Sequence, residues 1–368
     1  MSLQLNGTDG VTFNDGSEQW AAASPIGTKN LIINGNMQIA QRGTSATGLT
    51  GAGYHTVDRF LNNIAAAGTW TSTQDTDVPS GQGFANSHKL TCTATASPVV
   101  LAMMQSIEGQ MLQHLKKGTA NAESLTLSFW VKSNKTGTYI NELYDTDNTR
   151  QISKSYTINS ADTWEKKIIT FAGDTTGTIN NDNTTGLQLY WWLGADSTYA
   201  GGTLNTSWAS AVNANRAVGV VNLADSTSNY INITGVQLEV GDTATPFEHR
   251  PYDMELARCY RYYYKYTDGA SKGIGNSSNF TNANSFTFID LKCSMRATPS
   301  LEQTTGTNYY INFSNNTADY FNNFNLWTEA HSEAVCIYGS TNLSHTQGHA
   351  GMMTTANASS YLAFSAEL

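Results

Sequence analysis

Histidines and carboxylates are the side chains best equipped for metal or acid–base chemistry, and this 368-residue chain carries 7 of the first and 29 of the second. His345 and His349 stand four residues apart. Thr346-Gln347-Gly348 lies between them, so the glutamate of a helical zinc-protease pair is missing and Gly348 argues against a helix. Asp145 and Asp147 could open a calcium loop, but the EF-hand pattern needs glycine at its sixth position and Arg150 stands there. No G-x-S-x-G, no phosphate loop and no complete G-x-G-x-x-G occurs; Gly51-Ala-Gly53 and Gly273-Ile-Gly275 lack the third glycine. Glu108, Glu142, Asp196 and Glu239 could serve as paired carboxylates for glycosidic cleavage only if folding brought two of them together. The expectation is a protein without catalytic machinery.

Aromatic residues set among short polar ones are the stronger signal. Tyr190-Trp191-Trp192 sits between Leu189 and Leu193, so alternation sends at least one indole into a core. Tyr199 and Trp208 fall in a Gly/Asn/Ser-rich stretch with Asp196 just before it. An aromatic plane flanked by such side chains can stack on sugar C–H groups while the polar neighbours bond hydroxyls. The competing reading has Trp208 cap a hydrophobic core. Tyr320, Phe324 and Trp327 form a second set, beside Asn322, Asn323 and Asn325, and make the better candidates for a binding face.

The elements that must position these residues are mostly strands. Only 13% of residues are charged, against about 25% in an ordinary chain. Asn, Thr, Ser and Gly fill the difference, which suits half-buried pleats and starves long helices. The net charge is −9 and no basic cluster exceeds Lys116-Lys117 or Lys166-Lys167, so nucleic acid is excluded as a partner. No run approaches the roughly 18 apolar residues of a membrane span. Met1–Asn6 lacks the basic start and apolar run of an export signal, consistent with assembly in a cytoplasm. Cys92, Cys259, Cys293 and Cys336 are widely spaced and read as reduced thiols.

Along the chain, 1–27 alternates short apolar pieces with turns. Leu3, Leu5, Val11, Phe13 and Trp20 are its anchoring candidates. Strands are expected at 124–131, 164–171, 186–193, 217–222 and 230–240, and further on at 285–293, 309–313, 334–338 and 360–366. Helices are expected at 107–117, where Ile107, Met111, Leu112 and Leu115 share a face, and at 253–266, where Leu256, Tyr260 and Tyr263 form a stripe. The fold expected is mainly β: a jelly-roll β-sandwich over 28–251, a connecting helix over 252–267 and a smaller C-terminal β domain over 268–368.

Two long motifs support that division. The first is Asn30-Leu-Ile-Ile-Asn-Gly-Asn-Met-Gln-Ile-Ala-Gln-Arg-Gly43 with Tyr54 and Asp58-Arg59-Phe60. The second is Gly235-Val-Gln-Leu-Glu-Val-Gly-Asp-Thr-Ala-Thr-Pro-Phe-Glu-His-Arg-Pro-Tyr252, continuing to Tyr263. Together they resemble the jelly-roll domain of phage tail-fibre and related virion proteins, which is similar in fold to carbohydrate-binding modules. Gly7–Gly16 resembles fibre stems, and Tyr361–Leu368 the closing strand of the same proteins.

The resemblance implies a homotrimeric virion adhesin that reaches a bacterial surface glycan or protein. Its segment 1–27 would attach to other tail or virion proteins, and Leu256, Tyr260 and Tyr263 would line the threefold axis. Asp58 and Arg59 read as groups that pin loops at the sandwich end, and Glu239 as a structural residue on the polar face of its strand, flanked by Leu238 and Val240. No cofactor is implied. Many jelly-roll modules hold a structural calcium between loops, but no ligand set for one stands out here. Fibres that cleave capsules carry a long parallel β-helix, and its repeated coils are absent. The alternative is a purely structural virion component, a head-decoration fibre or baseplate adaptor, without a receptor.

Overall fold

The computed structural model describes residues 11–12, 18–19, 29–328 and 330–368. Leu3, Leu5, Phe13 and Trp20 of the expected anchor lie outside the described residues, and Val11–Thr12 pairs antiparallel with Glu18–Gln19. The chain divides into two compact units. Among the described residues, one comprises 29–37, 47–53 and 61–250, the other 38–46, 54–60 and those from 251 to 368.

The first unit is the expected jelly-roll sandwich. In one sheet the order runs Glu165–Phe171, Leu125–Ser133, Tyr230–Val240, Ser87–Ala94, Thr69–Asp75. In the other it runs Ala209–Ser210, Arg150–Ile158, Gly137–Asp145, Thr185–Ala195, Val100–Glu108, Leu61–Ala65. Alternation explains the layering. Leu125, Leu127, Phe129 and Val131 are all buried on the inner face, and Phe129 meets Trp191 edge-on at 5.9 Å and Tyr156 at 5.2 Å across the gap. Each of these rings contributes about 2–3 kcal/mol by leaving water. Trp192, one residue on, faces the opposite side.

The start and end of this unit are sewn together by polar side chains. Asn30 donates from Nδ2 to the Val236 carbonyl (3.0 Å) and accepts from the Ile32 and Leu238 amides (3.0 and 3.1 Å). Gln105 bonds both backbone groups of Ile33. The Arg250 guanidinium donates to the carbonyls of Asn30 and Ile32 and to Glu248. Asn34 turns the chain at φ +61°, and a Cβ on Gly35 would lie 2.1 Å from the Val236 oxygen, so the turn needs its glycine.

Two expectations about helices are corrected. The pattern over 107–117 belongs to the end of the Val100–Glu108 strand and two 3-10 turns, Gly109–Met111 and Gln113–Leu115. Leu112 and Leu115 are buried as a helix stripe would be, but the backbone turns at Gly109 against Asn180. The second helix stops at Tyr260, and Tyr263–Asp268 is a strand paired with Tyr361–Ser365. Three consecutive tyrosines favour a pleat over a helix, and Tyr262, Tyr263 and Tyr264 are all buried. The strand expected at 217–222 is not formed.

In the second unit, a three-stranded sheet (Tyr263–Asp268, Tyr361–Ser365, Ser300–Gln303) accompanies a seven-stranded one. The latter runs Thr317–Phe321, Tyr310–Ser314, Ala350–Thr355, Gly273–Asn279, Ser285–Asp290, Ala334–Gly339, Phe324–Leu326. Tyr310, Phe321, Phe324, Ile337, Met353, Leu362 and Phe364 form its core. The segments 38–46 and 54–60, assigned to the sandwich on sequence grounds, are built into this unit by buried charges. Arg59, 1% exposed, pairs with Glu367 and lies 3.5 Å from the centre of the Tyr262 ring. Arg42 pairs with Glu367 (3.2 Å) and stacks at 3.5 Å on Tyr263. Gln41 donates to Asp58 from its backbone and side chain, and Tyr54 donates to the Leu368 carbonyl. Arg59 thus pins the chain's last residues, and Asp58 ties the 38–46 segment to the 54–60 one.

Arg59→Met leaves Glu367 to Arg42 alone and is expected to cost the second unit about 1.5–3 kcal/mol, the worth of a hydrogen bond to a charged group, read as a loss of chemical-denaturation midpoint followed through near-UV tyrosine signals.

Candidate functional site

The sandwich carries a cleft of about 500 Å³ that the sequence reading did not nominate. Its floor is Trp130. Because Phe129 and Val131 point inward, Trp130 points out, beside Ser128 and paired across the sheet with Lys166 and Thr234. Its wall is Phe84, which meets Phe247 edge-on at 5.1 Å and His249 at 5.4 Å. Phe247 and His249 are 4.9 Å apart. Gln82, Thr243 and Thr245 complete the rim.

Gly235 lets these rings converge. It lies where the strand register shifts between Thr234 and Gln237, at φ +61°. A Cβ there would stand 2.6 Å from Phe84 Cζ and 3.1 Å from Trp130 Cδ1. Side chains of the same strand hold the opposite lip. Glu239 accepts from the Thr245 amide (2.9 Å) and hydroxyl (2.6 Å), and Gln237 donates to Glu239 and accepts from the Glu248 amide. Lys29 adds bonds to Thr245 and the Pro246 carbonyl. The motif around Gly235 is therefore the mount of the cleft, and Glu239, read from the sequence as a structural strand residue, holds the Thr245 loop. The arrangement offers flat aromatic faces bordered by an ammonium, hydroxyls and an amide.

The nominated aromatics are not brought to one place. Asp196 caps the short helix Ser197–Ala200, accepting from the Thr198 amide at 2.9 Å. Tyr199 covers Trp192 (5.4 Å), in a cluster centred on Arg216 with Tyr144 and Tyr190 around it. Inside that cluster Glu142 is fully buried and accepts from Trp192 Nε1 and Arg216 Nε, both at 2.8 Å. Burial raises its pKa, outweighing the guanidinium beside it. Trp208 has different partners: its Nε1 donates to the Ala172 carbonyl (2.7 Å), and its ring lies 5.1 Å from the Lys117 ammonium.

That ammonium explains the Asp145 region. Lys117 Nζ is held by the carboxylates of Asp145 and Asp174 and the carbonyls of Thr176 and Gly177, and Arg150 bonds Asp174 through two nitrogens. A side-chain cation sits where an oxygen cage would receive an ion. Among the described residues no group of three or more His, Cys, Asp or Glu could hold a metal.

In the second unit Tyr320 and Trp327 are 45% and 39% exposed, but Phe324 is 2% exposed and packs on Tyr310 and Phe321, so it belongs to the core and not to a receptor face. Tyr263, placed on a threefold axis by the sequence reading, is buried beneath Arg42 of its own chain. Tyr260 packs on Tyr264 at 4.8 Å and Leu256 is half-buried, while the helix exposes Tyr252 and Met254.

Comparison with known proteins matched no family model and no curated protein. Solved structures match at low identity. The enzymatically active domain of tailspike protein 4 from bacteriophage CBA120 is 14% identical over 57% of this chain and 21% of its own length, with a TM-score of 0.31. A family 61 carbohydrate-binding module, TmCBM61, solved with β-1,4-galactotriose, is 9% identical over 58% of this chain and 99% of that one, TM-score 0.31. The tandem CBM22-1–CBM22-2 domain of Paenibacillus barcinonensis Xyn10C is 10% identical over 94% and 98%, TM-score 0.29. Likenesses this distant carry no argument about what the chain binds. The chain spans about a fifth of the tailspike domain.

Lys117→Ala would leave Asp145 and Asp174 facing each other almost without solvent, their side chains 0% and 2% exposed. A loss of about 3–5 kcal/mol is expected in urea denaturation of the sandwich, with Trp208 fluorescence shifted in the native state.

Proposed function

We propose that the chain is a non-catalytic attachment protein of the phage tail-fibre type whose sandwich takes up a surface saccharide in the Trp130 cleft. The observation that carries this reading is the convergence of Phe84, Trp130, Phe247 and His249 on one opening rimmed by Gln82, Lys166, Thr243 and Thr245. Sugar rings offer axial C–H bonds to an aromatic face and equatorial hydroxyls to polar neighbours, so a site for them needs both along one edge. The glycan face belongs on this cleft in preference to the Asp196, Tyr199 and Trp208 set, whose side chains are engaged with the protein itself.

The virion location and the homotrimer are part of the same proposal, supported by the resemblance of the motifs at 30–60 and 235–263 to fibre proteins. Residues 1–27 would attach to neighbouring virion proteins. Of the carboxylates weighed for glycosidic cleavage, Glu142 and Glu239 are tied into the bonds described above, and Glu108 accepts from Gln110.

Calorimetric titration of the full chain with a panel of bacterial surface polysaccharides and their oligosaccharides tests the reading. At least one is expected to bind, Trp130→Ala to weaken it at least tenfold, about 1.4 kcal/mol, and Gly235→Ala to abolish it by closing Phe84 onto the cleft. Retained affinity in a folded Trp130→Ala protein would move the site elsewhere.

A further inference from the structure

The seven-stranded sheet of the second unit turns one face to its core and the other to solvent, and the solvent face is apolar. Six large side chains on or beside it are exposed: Phe280 66%, Phe288 76%, Phe313 40%, Tyr320 45%, Trp327 39% and Met352 49%. Register places them on one surface. Phe313 pairs with Met352 and Met352 with Asn276, while Tyr320 pairs with Ile311, which shares the parity of Phe313. On the other half, Ser278 pairs with Phe286 and Phe286 with Tyr338. Phe280 and Trp327 pack on Phe286 at 5.4 and 5.1 Å, and Phe288 stands two residues along from it.

We propose that this face is where copies of the chain meet. At roughly 200 Å² for each large side chain, the exposed fractions amount to about 600 Å² of apolar surface. A standard interface buries about 800 Å² per partner, somewhat over half of it apolar. The patch therefore supplies the apolar share of a stable contact, and it lies at the upper limit of what a monomer leaves exposed.

Charge selects the partner. Among the described residues, strand alternation puts one charged side chain on this face, Asp290, at the end of its strand. A different protein is normally specified by opposite charges across the contact. In a symmetric assembly, residues near the axis meet their own copies, so any charge there faces its like. A face cleared of charge suits self-pairing. It does not suit a glycan, which requires many donors and acceptors, because Asn276 and Ser278 are the polar groups at its centre.

The inference shares with the fibre reading only the presence of several copies, and saccharide binding by the cleft does not bear on it. Sedimentation of the full chain at micromolar concentration is expected to give an oligomer. Phe288→Asp and Phe313→Asp, made separately, are each expected to weaken it at least tenfold with the circular dichroism spectrum unchanged. The unaltered protein supplies a second readout. Met352 and Met254 are comparably exposed in a single chain, 49% and 46%, so Met352 should be oxidised by dilute hydrogen peroxide several-fold more slowly. A monomer at micromolar concentration, assembly indifferent to both substitutions, or equal oxidation of the two methionines overturns the proposal. Trp130→Ala, which impairs only the cleft, leaves assembly intact.

Discussion

A guanidinium leaves water at a cost that close partners must offset, and in this chain that requirement organises the architecture. Arg59 is buried against Glu367 and the face of Tyr262, and Arg42 reaches the same glutamate from above Tyr263. Two segments from the first sixty residues are thereby committed to the last ones. Arg250 acts likewise in the sandwich, binding the carbonyls of Asn30 and Ile32, and Lys117 does so between Asp145 and Asp174. With 13% charged residues, the chain buries Arg59, Lys117 and Arg250 as ties between segments distant in sequence. Such ties add specificity more than net stability, since each carries a desolvation cost comparable to its attraction.

The cleft obeys a different constraint. Its rings come from three parts of the chain: the loop at Phe84, the strand at Trp130 and the segment at Phe247 and His249. Gly235 supplies the missing volume that lets them converge, and the register shift beside it turns the strand. The Glu239 and Gln237 side chains then hold the Thr245 lip rigidly, so the opening is formed before any ligand arrives. Preorganisation of this kind lowers the ordering cost of a weak ligand such as a sugar.

Much of the fold was legible in the sequence. Tyr230–Val240 was delimited as found, and the alternation of Leu125, Leu127, Phe129 and Val131 identified an inner face. The same rule puts Trp130 outside, but an outward indole on a strand does not by itself distinguish the floor of a cleft from open surface. The other rings were illegible, since no local pattern announces that Phe84 and His249 meet. The 107–117 error has a physical cause. Apolar residues at i, i+4, i+5 and i+8 mark a helix only if the backbone stays helical, and a strand end followed by two tight turns buries the same positions. Phe324 failed for the converse reason: an Asn-rich setting describes the loop, not the direction in which one ring points.

The second unit is discontinuous, and that bears on how proteins of this kind can diversify. A trailing domain is often pictured as a cassette, exchangeable by one crossover near its start. Here a crossover at residue 251 would separate Glu367 from Arg42 and Arg59, and the new C-terminal half would meet foreign residues at 38–46 and 54–60. Productive recombination must carry both short segments along with the tail, through two exchanges or one upstream of residue 38. Inheritance of the two halves is thus linked by packing, and chimeras designed on a simple head-and-tail plan would break at a guanidinium.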